Sequence, residues 1–165
     1  MPRVADIQHA EEAAALEAEA AGATPGSKAS GLLIEAANQW WLAGDRKKCR
    51  SLLESVIADG GEPGCFARAE LLGILLQEGE RDAAEAELAR LADDPELTEG
   101  PCQLIGELLT DQGALTAALE WYDRVLAFWP DDRTEAAKAD GRRSADRMLW
   151  QQRQRVRKRL ALPPD

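Results

Sequence analysis

Three glycines, Gly44, Gly79 and Gly113, stand 35 and 34 residues apart and head nearly the same phrase each time. The phrases are "LAGDRKKCRSLLESVI" (42–57), "QEGERDAAEAELARLA" (77–92) and "DQGALTAALEWYDRVLA" (111–127). Before each glycine runs a stretch with helical periodicity, at 32–43, 66–78 and 101–112. After each glycine comes a second amphipathic helix. Cys49, Leu52, Leu53, Val56 and Ile57 lie three and four residues apart on one face. Ala84, Leu88, Leu91 and Ala92 form the second stripe, and Ala118, Trp121, Tyr122, Val125 and Leu126 the third. A fixed period of this length marks a stack of supersecondary units, none of which can bury its apolar face alone.

Composition agrees with helices. Ala and Leu dominate the apolar residues, and aromatics make up 5% of the chain. Helix formers abound and strand formers are scarce, so the expected class is all-α. Each repeated glycine sits where a helix must reverse, and glycine accepts the left-handed conformation there at little cost. The stretches 59–64, 93–100 and 129–132 read as short turn-rich connections between units.

The pattern resembles tetratricopeptide repeats. The third unit carries it best, with Gly106 in the first helix, Gly113 in the turn, Ala118 at the small contact of the second helix and Pro130 at the close. The first two units hold Ala37 and Leu72 where the third has Gly106, and keep the small contact as Cys49 and Ala84. The resemblance implies a right-handed α–α superhelix of three helix pairs over residues 32–132, with units at about 30–64, 65–98 and 99–132. Residues 1–21 are expected as an acidic, Ala-rich N-terminal helix whose Val4 and Ile7 share a face. Residues 22–31 read as a flexible linker. Residues 133–165 read as a basic C-terminal capping helix and tail, opened by an Asp132/Glu135 capping box and with a break near Gly141. Its stripe of Ala145, Leu149, Gln152, Val156 and Leu160 would seal the last unit, with Trp150 off the stripe, open to a partner.

The chain's net charge of −10 is unevenly spread. From Arg133 onward ten Lys and Arg face four Asp and Glu, a net of +6, which leaves −16 on residues 1–132. Three cysteines without a CxxC pair argue against a disulfide framework and against a metal site. No segment approaches the roughly 20 apolar residues of a membrane span. The N-terminus lacks the apolar core of a secretion signal, so a cytoplasmic protein with no membrane contact is expected. Catalysis is disfavoured. His9 is the one histidine, and it reads as a surface residue outside the repeats. Neither GxxxxGK[ST] nor GxGxxG occurs, so no catalytic residues and no cofactor are assigned.

Surfaces remain. In the resembling family the first helices of successive units line a concave groove. That geometry assigns Ile34, Asn38, Trp41 and Leu42 from the first unit. It assigns Phe66, Ala69, Gly73, Leu76 and Gln77 from the second, and Gln103, Glu107, Thr110 and Asp111 from the third. Trp40 and Trp41 point about 100° apart on a helix, so one belongs to the core and the other is available as an anchor. A groove apolar at one end and acidic at the other suits a peptide or an amphipathic helix bearing basic residues. The alternative occupant is the N-terminal helix, of this chain or of a second copy. The second candidate surface is the basic tail: Arg142, Arg143, Arg147, Arg153, Arg155, Arg157, Lys158 and Arg159. It could meet phosphates, as in a nucleic-acid-associated regulator. The acidic body opposes that. The expected function is a non-catalytic interaction module, an adaptor or scaffold.

Overall fold

The computed structural model describes residues 3–139, 144–163 and 165. Its described residues form helices and no strands: the protein is all-α. In chain order the helices are α1 (Val4–Gly22), α2 (Ser27–Leu42), α3 (Arg46–Asp59), α4 (Gly61–Glu78) and α5 (Arg81–Ala92). Then come α6 (Glu99–Asp111), α7 (Leu115–Ala127), α8 (Asp131–Ala139) and α9 (Ala145–Arg159).

Gly44, Gly79 and Gly113 take φ of +84°, +74° and +76° and close the turns after α2, α4 and α6. An L side chain at these positions would strain the backbone. Each turn hands over to the next helix at once. Asp45, for example, accepts a hydrogen bond at 3.0 Å from the Lys48 N–H at the start of α3.

Several helices start earlier than the sequence suggests. The expected linker 22–31 shrinks to Ala23–Gly26, because α2 begins at Ser27. The expected connection 59–64 is largely helix, because α4 begins at Gly61, whose N–H donates to Glu96 Oε2 at 2.7 Å. Pro63 and Pro101 sit in first turns, where the missing N–H has no intrahelical partner to lose. The expected Asp132/Glu135 capping box is absent. α8 begins at Asp131, two residues before the start such a box would set, Asp132 accepts from the Arg133 N–H, and Glu135 pairs with Lys138. The expected break near Gly141 lies outside the described residues.

Neighbouring helices pack in order from α1 to α5, and α6 packs on α7 and α8 on α9. Contacts between α2 and α4, between α4 and α6, and between α7 and α9 join one pair to the next. Two apolar cores result. One holds Ala13, Ala37, Trp40, Cys49, Leu53 and Val56; the other runs from Cys65 through Ile105 and Tyr122 to Val156. Leu71 packs on both. The small contacts Cys49, Ala84 and Ala118 are all buried, which lets the paired helices approach closely.

Two helix faces differ from expectation. α1 packs on α2 through Ala10 and Ala13, while Val4 and Ile7 stay exposed. Small side chains permit the approach; the larger ones fall on the outer side. On α9 the buried face is Leu149, Trp150, Arg153 and Val156, and Ala145 is exposed. Trp150 is therefore core rather than an open contact. Lys138 stands 5.0 Å and Arg153 5.4 Å from its ring.

Candidate functional site

The faces of α2, α4 and α6 hold the residues expected to line a groove, but in two separate places. Ile34 and Phe66 share a cleft of about 370 Å³ with Ser27, Gly31, Glu62 and Pro63, near the N-terminal ends of α2 and α4. Its walls are mostly apolar, and α1 contributes no residue to it. Phe66 is fixed from behind by the bare backbone of Gly100, where a Cβ would fall 2.5 Å from its ring.

Further along the same faces the positions divide. Ala69 and Gly73 are buried rather than groove-lining. A Cβ on Gly73 would come within 3.1 Å of Leu108, so this stretch of α4 is a close contact with α6. The residue that does face α2 here is Glu70, opposite Asn38. Burial pushes the Glu70 carboxyl above its ordinary range, and the Asn38 amide offsets part of that. The stripe Phe66, Glu70, Gly73, Gln77 has the spacing that would have identified it. Trp40 is in the core, with its Nε1 donating to Glu17. Trp41 is half-buried, with the Arg46 guanidinium 3.7 Å above its ring. Leu42 and Gln77 are exposed, and Leu76 is half-buried against the larger core.

The acidic end forms a second cleft of about 410 Å³. Glu107, Thr110 and Asp111 of α6 line it with Tyr122 of α7 and with Gln152, Arg155, Val156 and Arg159 of α9. Gln103 lies one turn back and donates to Glu107 at 3.0 Å. Thr110 Oγ1 donates to the Gly106 carbonyl at 2.7 Å. The Tyr122 side chain is 1% exposed, and burial raises its phenol above the ordinary value. The bare Gly106 makes room for the ring, since a Cβ there would meet it at 2.9 Å.

α9 reaches this cleft because both its ends are tied down. Arg133 of α8 donates to both Glu99 oxygens at 2.9 and 3.0 Å and to both Asp146 oxygens at 2.9 Å. It thereby joins the first turns of α6, α8 and α9, with its guanidinium 4.4 Å from the Trp129 ring. Near the other end Arg153 is buried, paired with Asp123 at 2.7 Å and with Asp165. Arg157 pairs with Asp165 at 2.6 Å and donates to the Pro163 carbonyl.

The basic tail is thus largely engaged within the protein. Arg147 donates to the Ala137 and Lys138 carbonyls. Arg142 and Arg143 lie outside the described residues. Arg155, Lys158 and Arg159 are the tail cations left exposed among those described.

Other reactive groups are tied up or buried. His9 Nδ1 and Gln39 Oε1 are 2.7 Å apart across the α1–α2 contact. Burial pushes the thiols of Cys49, Cys65 and Cys102 up to about 11, so few thiolates exist at neutral pH. Among the described residues no cluster of His, Cys, Asp and Glu is arranged to hold a metal. No described helix is long and apolar enough to cross a membrane. Fold and surface together define an all-helical protein whose expected groove residues fall into separate clefts. No family model, curated protein or solved structure matches the chain.

Proposed function

We propose that this is a tetratricopeptide-like helical-repeat protein of right-handed superhelical form that acts without catalysis as an adaptor or scaffold. It holds a peptide or helix of a protein partner along the faces of α2, α4 and α6. The observation that carries the reading is the apolar cleft of Ile34, Pro63 and Phe66, about 370 Å³ in volume and left uncovered by α1. A cleft of a few hundred Å³ with apolar walls and few polar groups is the usual form of a recognition site. Glu62 at its rim and Glu70 along the same face favour a partner segment carrying a basic residue.

The test is a quantitative pull-down from the native host with the intact chain and with Ile34→Ser and Trp41→Ala variants. All three should have the same far-ultraviolet circular dichroism. Loss of the same partners from both variants supports the reading. Unchanged partner lists refute it.

A further inference from the structure

We infer that the cleft between α6, α7 and α9 is a binding site for a zwitterionic ligand, one carrying a carboxylate together with an ammonium or guanidinium group. This deepens the groove reading by naming what its acidic end takes, and the peptide form of the ligand rests on that reading.

The cleft has two charged walls. Glu107 and Asp111 stand one helical turn apart on α6, and Arg155 and Arg159 stand one turn apart on α9. At the other end of the same two helices, opposite charges meet directly through Arg133, Glu99 and Asp146. Here they do not. Arg153 and Arg157 are turned to Asp123 and Asp165, whereas Arg155 and Arg159 form no ion pair among the described residues. Between the two walls lies the open volume of about 410 Å³, within the range of small-ligand sites.

The floor holds a polar group without a partner among the described residues. Gln152 Oε1 is buried without a hydrogen-bond partner among the described residues. The Tyr122 hydroxyl lies 3.5 Å from Thr110 Oγ1, which donates to the Gly106 carbonyl and so stands as acceptor toward the phenol. Buried polar groups are normally satisfied, so an acceptor left without a partner, as Gln152 Oε1 is, points to something that completes it. A carboxylate matches the planar guanidinium groups of Arg155 and Arg159. A ligand cation would sit between Glu107 and Asp111, and a ligand N–H would satisfy Gln152. A ligand of one sign meets a like-charged wall, which a ligand carrying both signs avoids.

The experiment uses the full-length, isotope-labelled chain and nuclear magnetic resonance. One probe is the blocked peptide acetyl-Glu-Ala-Ala-Ala-Lys-amide, whose charges are all on side chains. The other is the unblocked dipeptide Lys-Ala, which carries a free carboxylate and ammonium groups. Controls are the blocked peptide with Gln replacing both charged residues, and with Gln replacing each singly. Saturable shifts at the Gln152 side-chain amide and the Arg155 and Arg159 Nε–H signals are expected with at least one zwitterionic probe. The Arg155→Gln/Arg159→Gln double variant should weaken binding by about tenfold or more.

Binding of the blocked peptide assigns the ligand to a partner's segment, and binding of the dipeptide alone assigns it to a small free zwitterion. Absence of shifts with both, or equal shifts with the neutral or singly charged controls, overturns the inference. If Ile34→Ser still loses partners while no zwitterion binds, this inference fails and the groove reading stands. Zwitterion binding with an unchanged pull-down has the opposite meaning.

Discussion

Replacing Arg133 with methionine should loosen the junction of α6, α8 and α9. The methionine stem keeps the packing on Trp129 and removes only the guanidinium. That group donates to two carboxylates, Glu99 and Asp146, with both oxygens of each engaged. All three side chains are a third or more exposed, so solvent screens the forks. An exposed ion pair contributes about 0.2–1 kcal/mol, and geometry of this quality places each fork near the top of that range. The stacking of the cation on Trp129 adds about 0.5 kcal/mol. The expected loss is about 2 kcal/mol at pH 7, read by urea unfolding under far-ultraviolet circular dichroism.

The effect should also depend on pH. The hydrogen bond from Arg133 holds the Asp146 carboxyl below its ordinary value of 3.8. A depressed native pKa gives stability that is present above 3.8 and lost as the pH falls through the folded value. The gap between wild type and variant should therefore be full at neutral pH and narrow below 3.8, leaving the stacking on Trp129. A gap under about 0.5 kcal/mol at pH 7, or one that does not shrink in acid, refutes the assigned role of Arg133.

The same substitution at two helical glycines should have opposite signs. Gly31→Ala meets no atom within 4 Å and should stabilise the protein by about 0.5–1 kcal/mol through helix propensity. Gly106→Ala drives a Cβ to 2.9 Å from the Tyr122 ring, and overpacking of about 1–3 kcal/mol outweighs that gain. Thermal melts should separate the two variants by several degrees, and a gain at both sites would contradict the close packing. Glu70→Gln should raise stability at pH 7, by under about 1 kcal/mol, because burial disfavours the charged carboxyl. Its raised native pKa means that stability is lost as the pH rises through the folded value, so the advantage of Gln should fade below 4.5. The three thiols should resist a thiol-reactive dye in the native state and react fully in denaturant. Rapid native labelling of any one of them would contradict its burial.

What the sequence revealed followed from local rules. The turn glycines are legible because a left-handed turn demands them at a fixed period, and the small contacts Cys49, Ala84 and Ala118 because they share a register. Helix starts were hidden where composition imitates a loop. "SKASG" and "GEPG" read as turns, yet Ser27 and Gly61 open helices because first-turn N–H groups need no intrahelical partner. The candidate site was half legible. Ile34, Phe66, Glu107, Thr110 and Asp111 do line clefts. Glu70 was missed because the α4 stripe was assigned one residue away, at Ala69. Arginines 155 and 159 could not be matched to the acidic wall in advance. Their placement depends on how α9 docks, through Arg133 reaching Glu99 and Arg153 reaching Asp123, contacts that span 34 and 30 positions.

The most direct test of the account places a photo-reactive benzoylphenylalanine at Ile34 in the apolar cleft, and separately at Ser51 on the exposed side of α3. Each full-length variant is irradiated in the native host. The account predicts discrete adducts with a protein partner from position 34 and none of those adducts from position 51. Equal adducts from both positions, or none from position 34, would contradict recognition through this face.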